Sequence, residues 1–227
     1  MEISLFYEEK GEGKPLILLH GNGESHEYFV NQINAFSKNC RVIAIDTRGH
    51  GKSPMGEKPF SLYTFADDLR DFMSSHSIPR ADILGFSDCG NIALLFALKY
   101  PHMVDRLILN GANLSFFGLT FRTAAEILGL YLWFSICAPF SKKHAKNKAL
   151  FRLMLKEPRI DPAELESLNM PTLVIAGNRD MIAAHHTRLI AKSIPNSTLR
   201  ILPGDHFIAA KTPDAFNREV EDFLMNN

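Results

Sequence analysis

The chain has 227 residues, 46% of them apolar and 22% charged, with Lys+Arg and Asp+Glu equal at 25 each. That length suits one domain, or one core carrying an insertion, and the composition is that of an ordinary globular protein. A balanced charge predicts no electrostatic footprint for nucleic acid or an anionic membrane, and the basic segment Lys142 to Lys148 is the one local departure from that balance.

From the N-terminus, Met1 to Glu9 alternates like a strand, with the strand itself expected over Ile3 to Tyr7. No basic stretch precedes an apolar run there, so no signal peptide is expected and a cytoplasmic location is. Lys10 to Pro15 carries two glycines and a proline and reads as a turn. A short, wholly apolar run follows at Leu16–Leu19, and similar, largely apolar runs recur at Val42–Ile45, Ala81–Leu84, Arg106–Leu109, Thr172–Ile175 and Leu199–Leu202. Runs of this kind fit strands buried on both faces of a parallel sheet. Helical periodicity lies between them, over Leu62 to Ser75, Asn91 to Tyr100, His185 to Ser193 and Pro213 to Leu224. Alternating strand and helix predicts an α/β fold, whose ligands bind beyond the carboxyl ends of the strands.

The alternation stops between about Asn113 and Ser167, a stretch that reads as helical throughout. Its apolar part is interrupted by Arg122 and Glu126, and the clean remainder is expected to be too short to span a bilayer. Cys40, Cys89 and Cys137 are odd in number, far apart and form no CxxC pair, so free buried thiols are expected. Neither they nor the nine histidines show metal-ligand spacing, and no metal or organic cofactor is expected.

The chemistry-bearing residues follow the strands. After Leu84 comes Gly85-Phe86-Ser87-Asp88-Cys89-Gly90, then a helix. A serine in a tight strand-to-helix turn is held exposed above the sheet, and small residues on either side let the strand and helix approach. The same stretch could be a plain Gly-Ser turn capping a helix. Cys89 stands where glycine is usual; the turn directs Ser87 outward and Cys89 inward, so Ser87 is the expected nucleophile. After Leu19 comes His20-Gly21-Asn22-Gly23, a loop able to aim a backbone N–H of Asn22 at a developing oxyanion. The second donor would be the N–H of Asp88, whose side chain is expected to face the helical stretch or solvent. After Ala176 comes Gly177-Asn178-Arg179-Asp180, and after Leu202 comes Pro203-Gly204-Asp205-His206. An acid that orients a histidine, and a histidine that reaches the serine, are what a general-base system needs. Asp205 is an alternative acid, but as the neighbour of His206 it should point away, so Asp180 is preferred.

Ser87, Asp180 and His206, each just past a predicted strand, resemble the α/β-hydrolase superfamily in order and placement. The resemblance extends to Asp46-Thr47-Arg48-Gly49-His50-Gly51-Lys52-Ser53, a loop that shapes the site in that family and in which His50 is expected to be structural. It implies the α/β-hydrolase fold: a mostly parallel eight-stranded sheet, with residues 1–112 and 168–227 as core and 113–167 as a short helical cap. Serine at position 87 also implies the esterase, lipase, thioesterase and carbon–carbon-bond hydrolase branches rather than those with an aspartate nucleophile. The expected activity is hydrolysis of a small to medium, largely apolar ester or thioester through an acyl-enzyme. The alternatives are cleavage of carbon–carbon bonds in vinylogous diketones, and a non-catalytic binding protein on the same fold. Phe116, Phe117, Phe121 and Trp133, with Tyr131 and Phe134, would roof the substrate or pack the cap onto the core. The expected partner is a small-molecule substrate, with no nucleic acid and no membrane span; a homodimer through the cap is compatible but not required.

Overall fold

The computed structural model describes residues 3–226. Seven strands form one sheet: β1 (Tyr7–Lys10), β2 (Pro15–Leu19), β3 (Arg41–Ile45), β4 (Ala81–Phe86), β5 (Val104–Asn110), β6 (Thr172–Gly177) and β7 (Ser197–Leu202). Their order is β1-β3-β2-β4-β5-β6-β7. Only β1 is antiparallel to its neighbour; all the other pairs are parallel. The resemblance implied eight strands and the described residues contain seven, which is also the number of strand-like runs in the sequence. The first strand is displaced from Ile3–Tyr7 to Tyr7–Lys10. Ile3 and Leu5 are buried all the same, and the Phe6 N–H and C=O bond to Ser53 Oγ and the Asp46 N–H instead of continuing the ladder.

The helices are α1 (Val30–Phe36), α2 (Leu62–Ser75), α3 (Asp88–Lys99), α4 (Phe121–Cys137), α5 (Lys142–Lys156), α6 (Ala184–Ser193), α7 (Ile208–Lys211) and α8 (Pro213–Asn226). The period-2 alternation of the strands divides the core into two layers. Ile17, Leu19, Ile43, Ile83, Leu107 and Val174 pack under α2, α3 and α6. Leu16, Leu18, Val42, Leu84, Ile108 and Ile175 face α1 and α8, where Phe29, Phe36, Phe216 and Val220 meet them. The sheet edges are charged: Glu9 pairs with Arg41 at one, and Arg200 of β7 pairs with Glu219 of α8 at the other. Such charges discourage edge-to-edge pairing. The 46–53 loop is fixed by Arg48, fully buried, which forms a two-point pair with Asp68 of α2 at 2.7 Å per bond and donates to the Met55 carbonyl.

Residues 113–167 contain no strand. α4 and α5 pack on one another, with Phe134 stacked on Phe151 at 5.4 Å between ring centroids. A 3-10 turn, Ala138–Phe140, prolongs α4. The resulting helix, Phe121–Phe140, is long and apolar enough by length and composition to cross a membrane, whereas its clean part was expected to be too short. The two interrupting charges, Arg122 and Glu126, pair with each other at 2.9 Å in the first turns and leave the remainder apolar. Cys89 is buried, while Cys40 and Cys137 are half-buried rather than buried as expected; all three are free thiols.

Candidate active site

Ser87 occupies the link between β4 and α3 with φ 56° and ψ −126°, a backbone region costly for any residue with a Cβ. The turn survives because its neighbours leave room. A Cβ on Gly85 would lie 2.3 Å from the Cys89 carbonyl oxygen and 2.8 Å from the Gly90 Cα, so strand and helix meet backbone to backbone. The Ser87 N–H donates to the Asn110 carbonyl at 2.8 Å and ties the turn to the end of β5. Cys89, at the position where glycine is usual, sinks into the core, and burial first, then the Asp88 carboxylate, push its thiol well above the ordinary range. It is therefore not poised as a thiolate.

The loops after β6 and β7 are laced together. Asn178 N–H donates to the Leu202 carbonyl, Arg179 N–H to the Gly204 carbonyl, and Gly204 N–H to Asn178 Oδ1. Gly177 permits this, since a Cβ there would sit 2.2 Å from the Asp205 carbonyl oxygen. The result places His206 Nδ1 2.7 Å from Asp180 Oδ1 and His206 Nε2 2.9 Å from Ser87 Oγ. Asp180 Oδ1 also accepts from the Ile182 N–H at 2.9 Å, which fixes the carboxylate. With Nδ1–H donating to Asp180, Nε2 carries the lone pair that accepts the Ser87 hydroxyl proton. Asp205 points elsewhere: it caps the Phe207 N–H and pairs with Lys211, whose hydrogen bond holds its carboxyl below the usual range.

The sequence reading missed Gly111. It follows β5 with φ +64°, and a Cβ on it would lie 2.6 Å from His206 Cε1 and 2.8 Å from Nδ1. Its missing side chain is the space the imidazole fills. Nothing in a lone Asn-Gly at a strand end announces that.

The loop after β2 is braced by His20. Its Nδ1–H donates to the Gly21 carbonyl at 2.8 Å, and Nε2 accepts the Thr47 N–H at 3.1 Å. Burial lowers its pKa to about 4, so the ring is neutral and the tautomer is set by these two bonds. His50, buried and likewise held below the usual histidine range by desolvation, donates to the Arg48 carbonyl and does not reach Ser87. Of the two expected directions for Asp88, the helical stretch or solvent, burial removes the second, and desolvation raises its pKa to about 6 against an opposing hydrogen bond from the Asn22 side chain. Asp88 is also the first residue of α3, where helix geometry leaves its N–H without an intrahelical acceptor. Glu24, also unforeseen, accepts the Gly21 N–H at 3.1 Å. Burial raises its pKa to about 7, with that N–H opposing.

Above Ser87 lies a cavity of about 380 Å³, bounded by the Gly21–Glu24 loop, Phe86, Met181, His206 and Phe207. Its other wall comes from α4 (Thr123, Glu126, Ile127, Leu130) and α5 (Asn147, Leu150, Phe151, Met154). The one aromatic residue that α4 and α5 bring to this cavity is Phe151, which was not among those expected to roof it. Phe116, Phe117, Phe121 and Trp133 do not line this cavity, and neither do Tyr131 and Phe134. Phe117 and Phe121 are 88% and 90% exposed. Because α4 is apolar on nearly every side, composition did not reveal which side turns inward; its contacts with α5 select Ile127 and Leu130.

This architecture can be set against known proteins. A family model described as alpha/beta hydrolase fold matches residues 14–135, more than half the chain. The chain belongs to the α/β-hydrolase fold family. It is 28% identical to human serine hydrolase BPHL, covering 98% of this chain and 84% of that protein. Among solved structures it is similar to the meta-cleavage product hydrolase CumD from Pseudomonas fluorescens, with a TM-score of 0.79 at 25% identity, covering 98% of this chain and 94% of the other. It also shares its fold with the enol-lactonase of Burkholderia xenovorans, with a TM-score of 0.78 at 22% identity, covering 99% and 97%. As an α/β-fold enzyme with these relatives, this family member is a hydrolase.

Proposed function

We propose that the protein is a serine hydrolase that cleaves a neutral, small to medium carboxylic ester or thioester through an acyl-enzyme. The observation that carries the proposal is the continuous chain from Ser87 Oγ through His206 to Asp180, at 2.9 Å and 2.7 Å, on the floor of an apolar cavity. Ser87 attacks the carbonyl carbon as His206 Nε2 takes its proton. Asp180 holds the imidazole in the required tautomer and stabilises the imidazolium. The backbone N–H groups of Asn22 and Asp88 serve as the oxyanion donors, each of which in such sites is worth about 3 kcal/mol of barrier. His206 then returns the proton to the leaving group. Water, activated by the same histidine, releases the acid.

The cavity supports the substrate class. A volume of about 380 Å³ holds a small to medium ester, and α4 and α5 contribute mostly aliphatic side chains to it. A second reading, carbon–carbon-bond hydrolysis with the same residues, is favoured by the similarity to CumD. A substrate bringing a carboxylate into this cavity would meet Glu24 and Glu126 and no lining Lys or Arg, which favours the neutral ester. Labelling by a fluorophosphonate tests the nucleophile, with hydrolysis of p-nitrophenyl esters of rising chain length beside it. Ser87 should be the labelled residue, and Ser87→Ala should lose both labelling and hydrolysis while keeping its circular dichroism. A folded wild-type protein that is neither labelled nor active on any ester would overturn the reading. Turnover of a vinylogous diketone alone would move it to the second one.

A further inference from the structure

α4 has two unlike faces. One packs on α5 and lines the cavity with Thr123 and Ile127. On the other, Leu128, Leu132 and Ile136 recur every four residues and are 47%, 55% and 69% exposed. Trp133 at 59% and Phe140 at 87% extend the same uncovered surface. A Cβ on Gly129 would meet nothing within 4 Å, which marks that side as open. Folded proteins seldom leave so continuous an apolar surface without a partner.

The charge around it identifies the partner. Lys142 and Lys143, both exposed, follow Phe140 almost at once. From Phe121 to Lys156 there are seven Lys or Arg and one acid, Glu126, in a chain whose formal net charge is zero. An apolar helix face ending in a cationic cluster complements the interfacial layer of an anionic bilayer, which offers acyl chains to the former and headgroup charge to the latter. A second copy of the chain would instead bring the same positive charge against itself. A spanning orientation would strip the inner face of α4 from α5 and from the cavity.

We propose that the outer face of α4, with Lys142 and Lys143, docks on the surface of an anionic lipid bilayer, with the helix lying in the plane of the interface. The inference concerns the outside of the α4–α5 pair and stands whether or not Ser87 reacts.

Trp133 is the single tryptophan of the chain, so its fluorescence reports on this face alone. The experiment mixes the full chain with phosphatidylcholine vesicles, and with vesicles in which about a third of that lipid is phosphatidylglycerol. The mixed vesicles should carry the protein upward on flotation, shift Trp133 emission to shorter wavelength and release the protein at high salt. Each lysine near an anionic surface is worth roughly fivefold in affinity, so Lys142→Gln with Lys143→Gln should weaken binding about twenty-five-fold. Ile136→Ser with Phe140→Ser should weaken it at least about tenfold through lost apolar burial. Both pairs lie at the surface, and unchanged circular dichroism confirms their folding. Absence of flotation, equal binding to both vesicle types, or wild-type binding by either double variant would overturn the proposal. So would a Trp133 shift in lipid-free buffer that grows with protein concentration alongside a doubled mass, because a second copy would then cover the face.

Discussion

Replacing Gly111 by alanine tests whether the site depends on a space rather than on a group. The new Cβ would lie 2.6 Å from His206 Cε1 and 2.8 Å from Nδ1, against an ordinary carbon contact near 3.5 Å. The backbone has little freedom to yield, because Gly111 N–H donates to the Ile175 carbonyl and the Asn110 carbonyl accepts from Ser87 N–H. The imidazole must therefore retreat by about 1 Å, which stretches the 2.9 Å contact with Ser87 Oγ beyond hydrogen-bond range. A misplacement of that size costs on the order of a hundredfold in rate, or about 2.7 kcal/mol of barrier. The left-handed φ of +64° adds about 1–2 kcal/mol of strain to the folded state. The assay is the rate of fluorophosphonate labelling and of ester hydrolysis, measured beside thermal unfolding so that lost rate is not confused with lost fold. A G111A protein within about threefold of wild type would show that His206 has room the geometry denies it, and the reasoning would fail.

Asp180→Asn should keep the fold but lower kcat by roughly 10³–10⁴-fold, because the amide cannot hold the same tautomer; saturation kinetics on an active p-nitrophenyl ester would measure it. Arg48→Met leaves the Asp68 carboxylate buried without its guanidinium, at a cost of about 3–5 kcal/mol and about 10 °C in Tm. Scanning calorimetry at neutral pH would read that loss. Asp88 has its pKa raised to about 6 by burial. Its protonated form suits the fold, so its contribution is complete below about pH 4 and is lost as pH rises through 6. Asp88→Asn removes that loss. The variant should gain on wild type between pH 4 and pH 8, by up to about 3 kcal/mol, as denaturant midpoints at the two values would reveal. A pH-independent difference would contradict the assignment.

Much of this site was legible because its members stand immediately after buried apolar runs. Ser87, Asp180 and His206 follow Phe86, Gly177 and Leu202 closely, and parallel strands leave their carboxyl ends on one edge. Asp180 was preferred to Asp205 on chain direction alone, and the structure places Asp180 on the imidazole and Asp205 on Lys211. What stayed hidden depends on the third dimension. Gly111 matters through a ring 95 residues away, a distance no local pattern encodes. Aromatic residues of the helical stretch were read as roofing the substrate or packing the cap onto the core, and helix phase turned Ile127, Leu150 and Met154 inward and left Phe121 and Trp133 outside. Asp88 was expected to face the helical stretch or solvent, and its place at the first turn of α3 buries it. The eighth strand came from the family resemblance, while the chain's own runs number seven.

The strand that delivers His206 is the outermost one of its sheet. Among the described residues β7 pairs with no strand but β6, and Arg200 and Ile201 stand exposed on it, whereas the strand before Ser87 is buried along its whole length. Elements with one paired edge open at lower free energy than the centre of a sheet. Ser87 and His206 thus belong to regions of unequal local stability. Fraying of a single edge strand withdraws the imidazole while the elbow that strains Ser87 stays folded, so His206 is the more labile half of the pair.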